Sequence, residues 1–149
     1  TVTRSSRRLR RRPKSTTDAS RAAGPLASGR NRHPTLGVGI RCDTTAIVDF
    51  RNNVVFNWAS GTNFGETRQN FINNYYKPGS STSYAKNKPL RMKTPRAYAS
   101  RGYLKGNIFI GAPDIYNKDN YTALDYNAYG TNYTSTTRAQ FEWKSPFVY

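Results

Sequence analysis

Short apolar runs alternate with clusters of Asn, Gly and Ser from residue 47 onward. The first two runs, Ile47–Phe50 and Val54–Trp58, are separated by Arg51-Asn52-Asn53. β-Branched and aromatic residues dominate both runs, which favours strands over helix. No segment keeps an apolar stripe at helical spacing for three turns. The pattern therefore predicts an all-β fold.

The run–Asn–Asn–run pattern repeats along the chain. A second copy occupies Gln69–Tyr76 and a weaker third copy occupies Gly102–Ile110. The Asn-Asn pair of the second copy lies 21 residues after that of the first, and Gly106-Asn107 follows 33 residues later, after an apparent loop insertion at Lys77–Pro95. A period of about 20 residues with one structural unit per repeat indicates a solenoid.

Asparagine has two roles in such a solenoid. It tolerates the left-handed backbone that turns one strand into the next, and stacked Asn amides can hydrogen-bond in a ladder. We therefore predict a parallel β-helix. A β-sandwich with Asn-rich turns is the alternative that the spacing leaves open.

The charge of the chain points to a polyanionic partner. The 149 residues contain 24 Lys and Arg against eight Asp and Glu, a net charge of +16. Nucleic acid, acidic polysaccharide and an anionic membrane surface all fit this charge. Nine of the cations lie in residues 1–30, with Asp18 as the single acid there. Residues 1–25 carry too few apolar side chains to pack a core, so we expect a disordered basic segment, either a polyanion-binding arm or a non-native leader.

Several classes of protein are disfavoured by simple counts. Cys42 is the single cysteine, so the chain can form neither an intrachain disulfide nor a Cys-based metal site. No apolar run reaches the roughly 18 residues of a transmembrane helix, and we expect no membrane partner. Thr1 is not preceded by an initiator Met or an apolar leader. We interpret the chain as a fragment of a longer protein.

Two segments carry a family resemblance. Val48–Trp58 (VDFRNNVVFNW) and Phe71–Gly79 (FINNYYKPG) closely resemble consecutive coils of bacterial pectate lyase-like polysaccharide lyases. The resemblance covers roughly residues 26–111. It implies that 26–149 is the C-terminal part of a right-handed parallel β-helix, with a Tyr-rich tail covering its last coil. It also implies a secreted, extracellular or periplasmic monomer that acts on uronate-containing polysaccharide such as pectate.

The same resemblance assigns candidate site residues. Gly29–Pro34 (GRNRHP) resembles the family's Arg-x-Pro segment, whose arginine lies in the substrate cleft. In that family a base removes the C5 proton of a uronate and the 4-O-glycosidic bond breaks. Arg32 is then the catalytic base, and Arg30, Arg41 and Lys77 are the substrate-binding cations.

Calcium is the cofactor that the resemblance implies. In the family it neutralises the uronate carboxylate and so acidifies the C5 proton. Its carboxylate ligands come from coils before the Arg-x-Pro segment, where this chain has only Asp18. We therefore expect no calcium ligands in this chain and no activity from it alone.

Two other functions remain open from the residues themselves. A capsid-like nucleic-acid-binding protein would use the Arg-rich segment as its arm. A non-catalytic carbohydrate-binding β-helix is the other. The aromatic and basic residues of 75–103 suit either partner, because rings stack on sugars or bases and cations pair with uronates or phosphates. We favour the sugar, since the flanking coils resemble a lyase; an ordinary solvated loop is the alternative. His33 and Cys42 are expected to be a cleft-wall histidine and a buried structural thiol.

Overall fold

The structure, a computed structural model, describes residues 21–22, 25–27, 35–36, 45–92, 99–128 and 136–148. Most of the regular structure in these ranges is strand. The strands are β1 Arg21–Ala22, β2 Pro25–Ala27, β3 Thr35–Leu36, β4 Ile47–Arg51, β5 Val54–Phe56, β6 Thr62–Phe64, β7 Arg68–Ile72, β8 Tyr75–Lys77, β9 Leu90–Met92, β10 Arg101–Lys105, β11 Ile108–Phe109 and β12 Leu124–Asp125. The helices are short: α1 Asp114–Lys118, a 3-10 helix Asn120–Ala123, and α2 Arg138–Phe141.

The strands form three four-stranded sheets. The first sheet has the order β1-β4-β7-β10, the second β11-β8-β5-β2, and the third β12-β9-β6-β3. Every strand pair among the described residues is parallel, unlike the antiparallel sheets of a β-sandwich. From β1 to β9 the chain visits the three sheets in turn. The prediction of an all-β fold built on parallel sheets is confirmed.

The core lies under the inward faces of all three sheets. Phe50, Phe71 and Leu104 occupy one register row of the first sheet, and all three are buried. The rings of Phe50 and Phe71 stack with centroids 5.1 Å apart. The second and third sheets add further buried side chains to the same cluster, namely Val55, Tyr76, Phe109, Phe64, Leu90, Met92 and Leu124. Burying each large apolar side chain contributes on the order of 1.5–3 kcal/mol.

The turns between the first and second sheets share one conformation. Asn52, Asn73 and Gly106 take left-handed backbone angles, with φ of 55°, 54° and 68°. The residues that follow them are Asn53, Asn74 and Asn107, which are buried at the same place in successive repeats. The predicted use of asparagine for left-handed turns is confirmed.

The buried asparagines form a ladder. Asn53 Nδ2 donates to Asn74 Oδ1 at 3.0 Å, and Asn74 Nδ2 donates to Asn107 Oδ1 at 2.8 Å. Asn107 Nδ2 continues the series by donating to Oδ1 of Asn120, in the 3-10 helix, at 3.0 Å. The predicted ladder is therefore present, and it has one more rung than the three sequence repeats supply.

The end of the chain lies against the first sheet. α2 begins at a capping box in which Thr137 and Gln140 bond reciprocally. Its last residue, Phe141, is fully buried, and Trp143 N then donates to Gly102 O of β10 at 2.9 Å. Further on, Asn70 of β7 bonds both backbone groups of Phe147 at 2.8 Å. The segment after α2 thus crosses from β10 to β7.

Candidate functional site

Most residues assigned from the sequence lie outside the described part of the chain. Arg30, Arg32, His33, Arg41 and Cys42 belong to this group, as do residues 1–20 of the basic segment. Their roles stay predictions. Lys77 is described: it is the last residue of β8, and its side chain is exposed.

Lys77 lies on the outward face of the second sheet. Its register partner on the neighbouring strand is Phe56, and Tyr75 is two residues before it on the same face. Phe56 and Tyr75 are 39% and 38% exposed, values high enough to leave part of each ring open to a ligand. The outward face therefore presents one cation beside two accessible rings. Val54, Ile108 and Ile110 are the other exposed apolar residues of this part of the molecule.

A second set of cations and rings lines a groove on the first sheet. The groove has a volume of about 490 Å³ and is lined by Arg68, Ala99, Arg101, Trp143 and Phe147. Arg68 and Arg101 are the first residues of β7 and β10 and are register partners. Neighbouring strands lie about 4.8 Å apart, so the two cations start from adjacent backbone positions.

The ring wall of the groove is held by the chain crossing described above. Trp143 and Phe147 stack with centroids 5.4 Å apart and an interplanar angle of 19°. Phe147 is only 9% exposed, and its backbone is bonded to Asn70. Trp143 is 44% exposed, so Phe147 supports one face of an indole that remains accessible.

The electrostatics of the groove favour an anion. The guanidinium of Arg68 is exposed and has no ion-pair partner among residues that the structure describes. Arg101 Nη1 donates to Ser100 O at 2.8 Å, which orients its guanidinium. The acid adjacent to Trp143 in sequence, Glu142, accepts a hydrogen bond from Arg138 Nε at 2.8 Å. Its charge is therefore balanced by a cation outside the groove lining.

A smaller cavity of about 250 Å³ lies beside α2 and the 3-10 helix. Arg138 in its wall bonds both Glu142 and Asp119 and lies 5.1 Å from the centroid of the Tyr121 ring. These hydrogen bonds raise the pKa of Arg138 above its usual value, since they favour the charged guanidinium. These contacts hold α2 against the 3-10 helix, so we interpret the role of Arg138 as structural.

Neither a metal cluster nor a membrane-spanning helix occurs in the described ranges. No group of three or more His, Cys, Asp or Glu there could hold a metal ion. No helix there is long and apolar enough to cross a membrane. The buried carboxylates have other surroundings: Asp49 pairs with Arg51 on the same strand, and Glu66 lies in the turn before β7.

Most of the groove lining is not predicted by the sequence. Arg101 fell within the aromatic and basic stretch 75–103, but Arg68 and Trp143 were not singled out. A signal for the arginines was available, because both stand six residues before the ladder asparagine of their repeat, Asn74 or Asn107. No comparable signal places Trp143, which lies outside the repeats.

Comparison with protein-family models, with curated proteins and with solved structures finds no match to this chain.

Proposed function

We propose that the chain is part of a right-handed parallel β-helix of the pectate lyase-like kind. Three features support this fold: the described strands pair in parallel, the chain visits three sheets in turn from β1 to β9, and an asparagine ladder joins successive repeats. The resemblance of Val48–Trp58 and Phe71–Gly79 to lyase coils supports the family. The secreted, monomeric state expected of such proteins belongs to the same proposal.

The proposed function is cleavage of uronate-containing polysaccharide by β-elimination. The observation that carries it is the position of Lys77, exposed on the second sheet between the accessible rings of Phe56 and Tyr75. An ammonium group pairs with a uronate carboxylate, and rings offer flat apolar surfaces to the sugar. Such a surface suits an acidic polysaccharide.

The chemical step follows the resemblance. Arg32 in its uncharged form takes the C5 proton of a uronate, and the electron pair forms the C4–C5 double bond as the 4-O-glycosidic bond breaks. Cations on the carboxylate, for which Arg30, Arg41 and Lys77 are the candidates, make the C5 proton more acidic. Calcium belongs to the proposal as the cofactor that would neutralise the same carboxylate. The described residues do not fit it as ligands, so no step is assigned through it.

Binding by this chain tests the substrate class. We expect saturated oligogalacturonide to bind the chain in calorimetry, and Lys77→Ala to weaken that site about tenfold, since a charge-assisted hydrogen bond is lost. Lys118→Ala, which removes the same charge from α1, is the matched control and should bind normally. Equal weakening by both variants would show diffuse charge attraction instead of a site.

The elimination assay tests the chemistry. The natural protein that carries this chain, given polygalacturonate and calcium, should release an unsaturated uronide that is followed by its ultraviolet absorbance. Arg32→Ala and Arg32→Lys should abolish the product, and His33→Gln should retain it. Binding without any product would favour the non-catalytic carbohydrate-binding β-helix.

Nucleic-acid binding is the second candidate because nine cations are concentrated in residues 1–30. Deletion of residues 1–20, which removes most of the basic segment and leaves β1 in place, separates the two functions. Under the lyase proposal, oligogalacturonide binding survives the deletion. Under the nucleic-acid alternative, oligonucleotide binding collapses together with its steep salt dependence.

A further inference from the structure

We propose that the groove between Arg68, Arg101 and Trp143 is a second saccharide-binding site, which takes a uronate unit of an acidic polysaccharide. The site shares no residue with the Lys77 face or with the Arg-x-Pro segment. The groove lining itself supplies two cations for an anion and an exposed ring for stacking. The choice of a uronate polymer as its ligand rests on the proposed function.

Two arginines lie side by side in the groove. Arg68 and Arg101 are register partners on adjacent parallel strands of the first sheet. A carboxylate can accept hydrogen bonds from two guanidinium groups, since its two oxygens have about four acceptor positions. A uronate carboxylate in the groove could therefore accept hydrogen bonds from both arginines.

The indole of Trp143 is supported by a second ring. Trp143 stacks on Phe147, and Phe147 is fixed to β7 through both of its backbone bonds to Asn70. Trp143 as a whole residue is 44% exposed, so part of it remains open to a ligand. An ordered ring loses little entropy when a ligand stacks on it. The apolar face of a sugar ring is a ligand of this kind.

The size and the lining of the groove also suit a saccharide. A volume of about 490 Å³ falls in the range of small-molecule sites and accommodates a short saccharide segment. Single-stranded nucleic acid is usually bound by several rings in series along a cationic groove. This groove offers one accessible ring and two cations, because Phe147 is mostly buried. The lining therefore favours a uronate over a run of nucleotides.

Tryptophan fluorescence provides a direct test in the full chain. Trp58 is fully buried, so a change on titration with saturated oligogalacturonide in calcium-free buffer reports Trp143. We expect a saturable change, about tenfold weaker binding in Arg68→Ala, and a larger loss when Arg101→Lys is added. By calorimetry, Trp143→Phe should retain weakened binding that Trp143→Ala lacks. Circular dichroism and thermal unfolding check that each variant is folded.

Lys144→Ala is the matched control. Lys144 follows Trp143, is 92% exposed and does not line the groove, so its loss removes an equal charge from the neighbourhood. We expect less than about a twofold effect, as for a screened surface charge. The proposal is overturned if Lys144→Ala weakens binding as much as Arg68→Ala, if the fluorescence does not respond, or if an oligonucleotide of equal charge binds as tightly.

The two proposals fail separately. Arg32→Ala and Lys77→Ala should leave the Trp143 response intact, because neither residue lines the groove. A protein that shows this response but yields no unsaturated product refutes the lyase function and retains the groove. A protein that cleaves polygalacturonate normally with an unresponsive Trp143 refutes the groove alone.

Discussion

At the scale of single residues, the two asparagines of each pair have different tasks. Asn73 carries the left-handed φ and is exposed, whereas Asn74 is 1% exposed and lies within the ladder. Asn74 Oδ1 accepts from both nitrogens of Asn53, and its own Nδ2 donates to Asn107 Oδ1 and to Phe50 O. The first asparagine is needed for its backbone and the second for its amide.

These different tasks predict that substitution of Asn74 destabilises the protein, whereas substitution of Asn73 by glycine does not. Asn74→Ala should lower the free energy of unfolding by about 2–4 kcal/mol, because it leaves several buried polar groups without a partner. Asn73→Gly should change it by less than about 0.5 kcal/mol, since glycine adopts positive φ freely. Urea denaturation measures both. Similar losses at the two positions would contradict the division of tasks.

The sequence predicts the pairs but not the whole ladder. Asn52-Asn53 and Asn73-Asn74 are recognisable because a paired residue type recurs at a fixed distance from apolar runs. Asn120 is a rung too, yet it follows Asn107 by only 13 residues and comes from a 3-10 helix. Nothing in the local pattern distinguishes it from the other asparagines of the tail. Its position depends on how α1 turns the chain back.

At the scale of elements, the success of prediction follows strand length and composition. The apolar run Ile47–Phe50 corresponds to β4, Ile47–Arg51, and Val54–Trp58 corresponds to β5, which ends before Asn57 with its φ of 53°. The third-sheet strand β6 is Thr-Asn-Phe, a composition that reads as a turn. It is a strand because it pairs with β3 and β9 and all three of its residues are buried. This is a tertiary effect, which local strand propensity does not predict.

The helix α2 was also missed, although Thr137-x-x-Gln140 is a recognisable capping box. Its importance lies in one contact. A Cβ added to Gly102 would lie 2.2 Å from the Phe141 ring. That ring cannot swing aside easily, because it packs edge-on against Phe64, Tyr121 and Tyr126. The absence of a side chain at Gly102 is what lets α2 close over β10.

We therefore expect a coupled pair of mutations. Gly102→Ala alone should cost about 1–3 kcal/mol of stability through overpacking. Phe141→Leu alone should also destabilise, because it leaves a cavity. The double variant should lose clearly less free energy of unfolding than the two single variants added together, since the smaller leucine makes room for the new methyl group. A double-mutant cycle in urea measures the coupling, and strict additivity would refute the contact.

At the scale of the whole molecule, the candidate sites could be predicted only in part. The net charge predicts an anionic partner, and Lys77 is a candidate only through the family resemblance; both stay predictions. The groove brings together Arg68, Arg101 and Trp143, which are far apart in sequence. The arginines are adjacent because of the strand register, and the indole reaches them only after the tail crosses the sheet. Such a juxtaposition is a property of the complete fold.

Tyrosine burial is another property of the whole molecule. Burial raises the pKa of Tyr76, Tyr121 and Tyr126 above the ordinary value of 10.0. Burial, with a smaller contribution from Tyr116, raises the pKa of Tyr84 to about 12. In the folded protein the hydroxyls of Tyr84, Tyr121 and Tyr126 also donate hydrogen bonds, such as that from Tyr84 to Ile110 O at 2.9 Å. An ionised tyrosine could not donate them.

Stability should therefore fall at high pH. In the unfolded chain the tyrosines lose their protons near pH 10, whereas in the folded protein Tyr84 keeps its proton to about pH 12. The folded state binds more protons in this window, so the free energy of unfolding decreases as the pH rises from 10 to 12. Below pH 10 the contribution of these groups is complete. Urea denaturation across this range should show the decrease.

The variant Tyr84→Phe isolates one of these groups. It should flatten the pH dependence between pH 10 and 12, because one raised pKa is removed, while a modest loss appears at neutral pH from the missing bond to Ile110 O. Tyr75→Phe, which changes an exposed ring on β8, should leave the pH dependence as it is. If the two variants give the same pH profile, burial of Tyr84 does not govern alkaline unfolding, and the loss must come from other titrating groups.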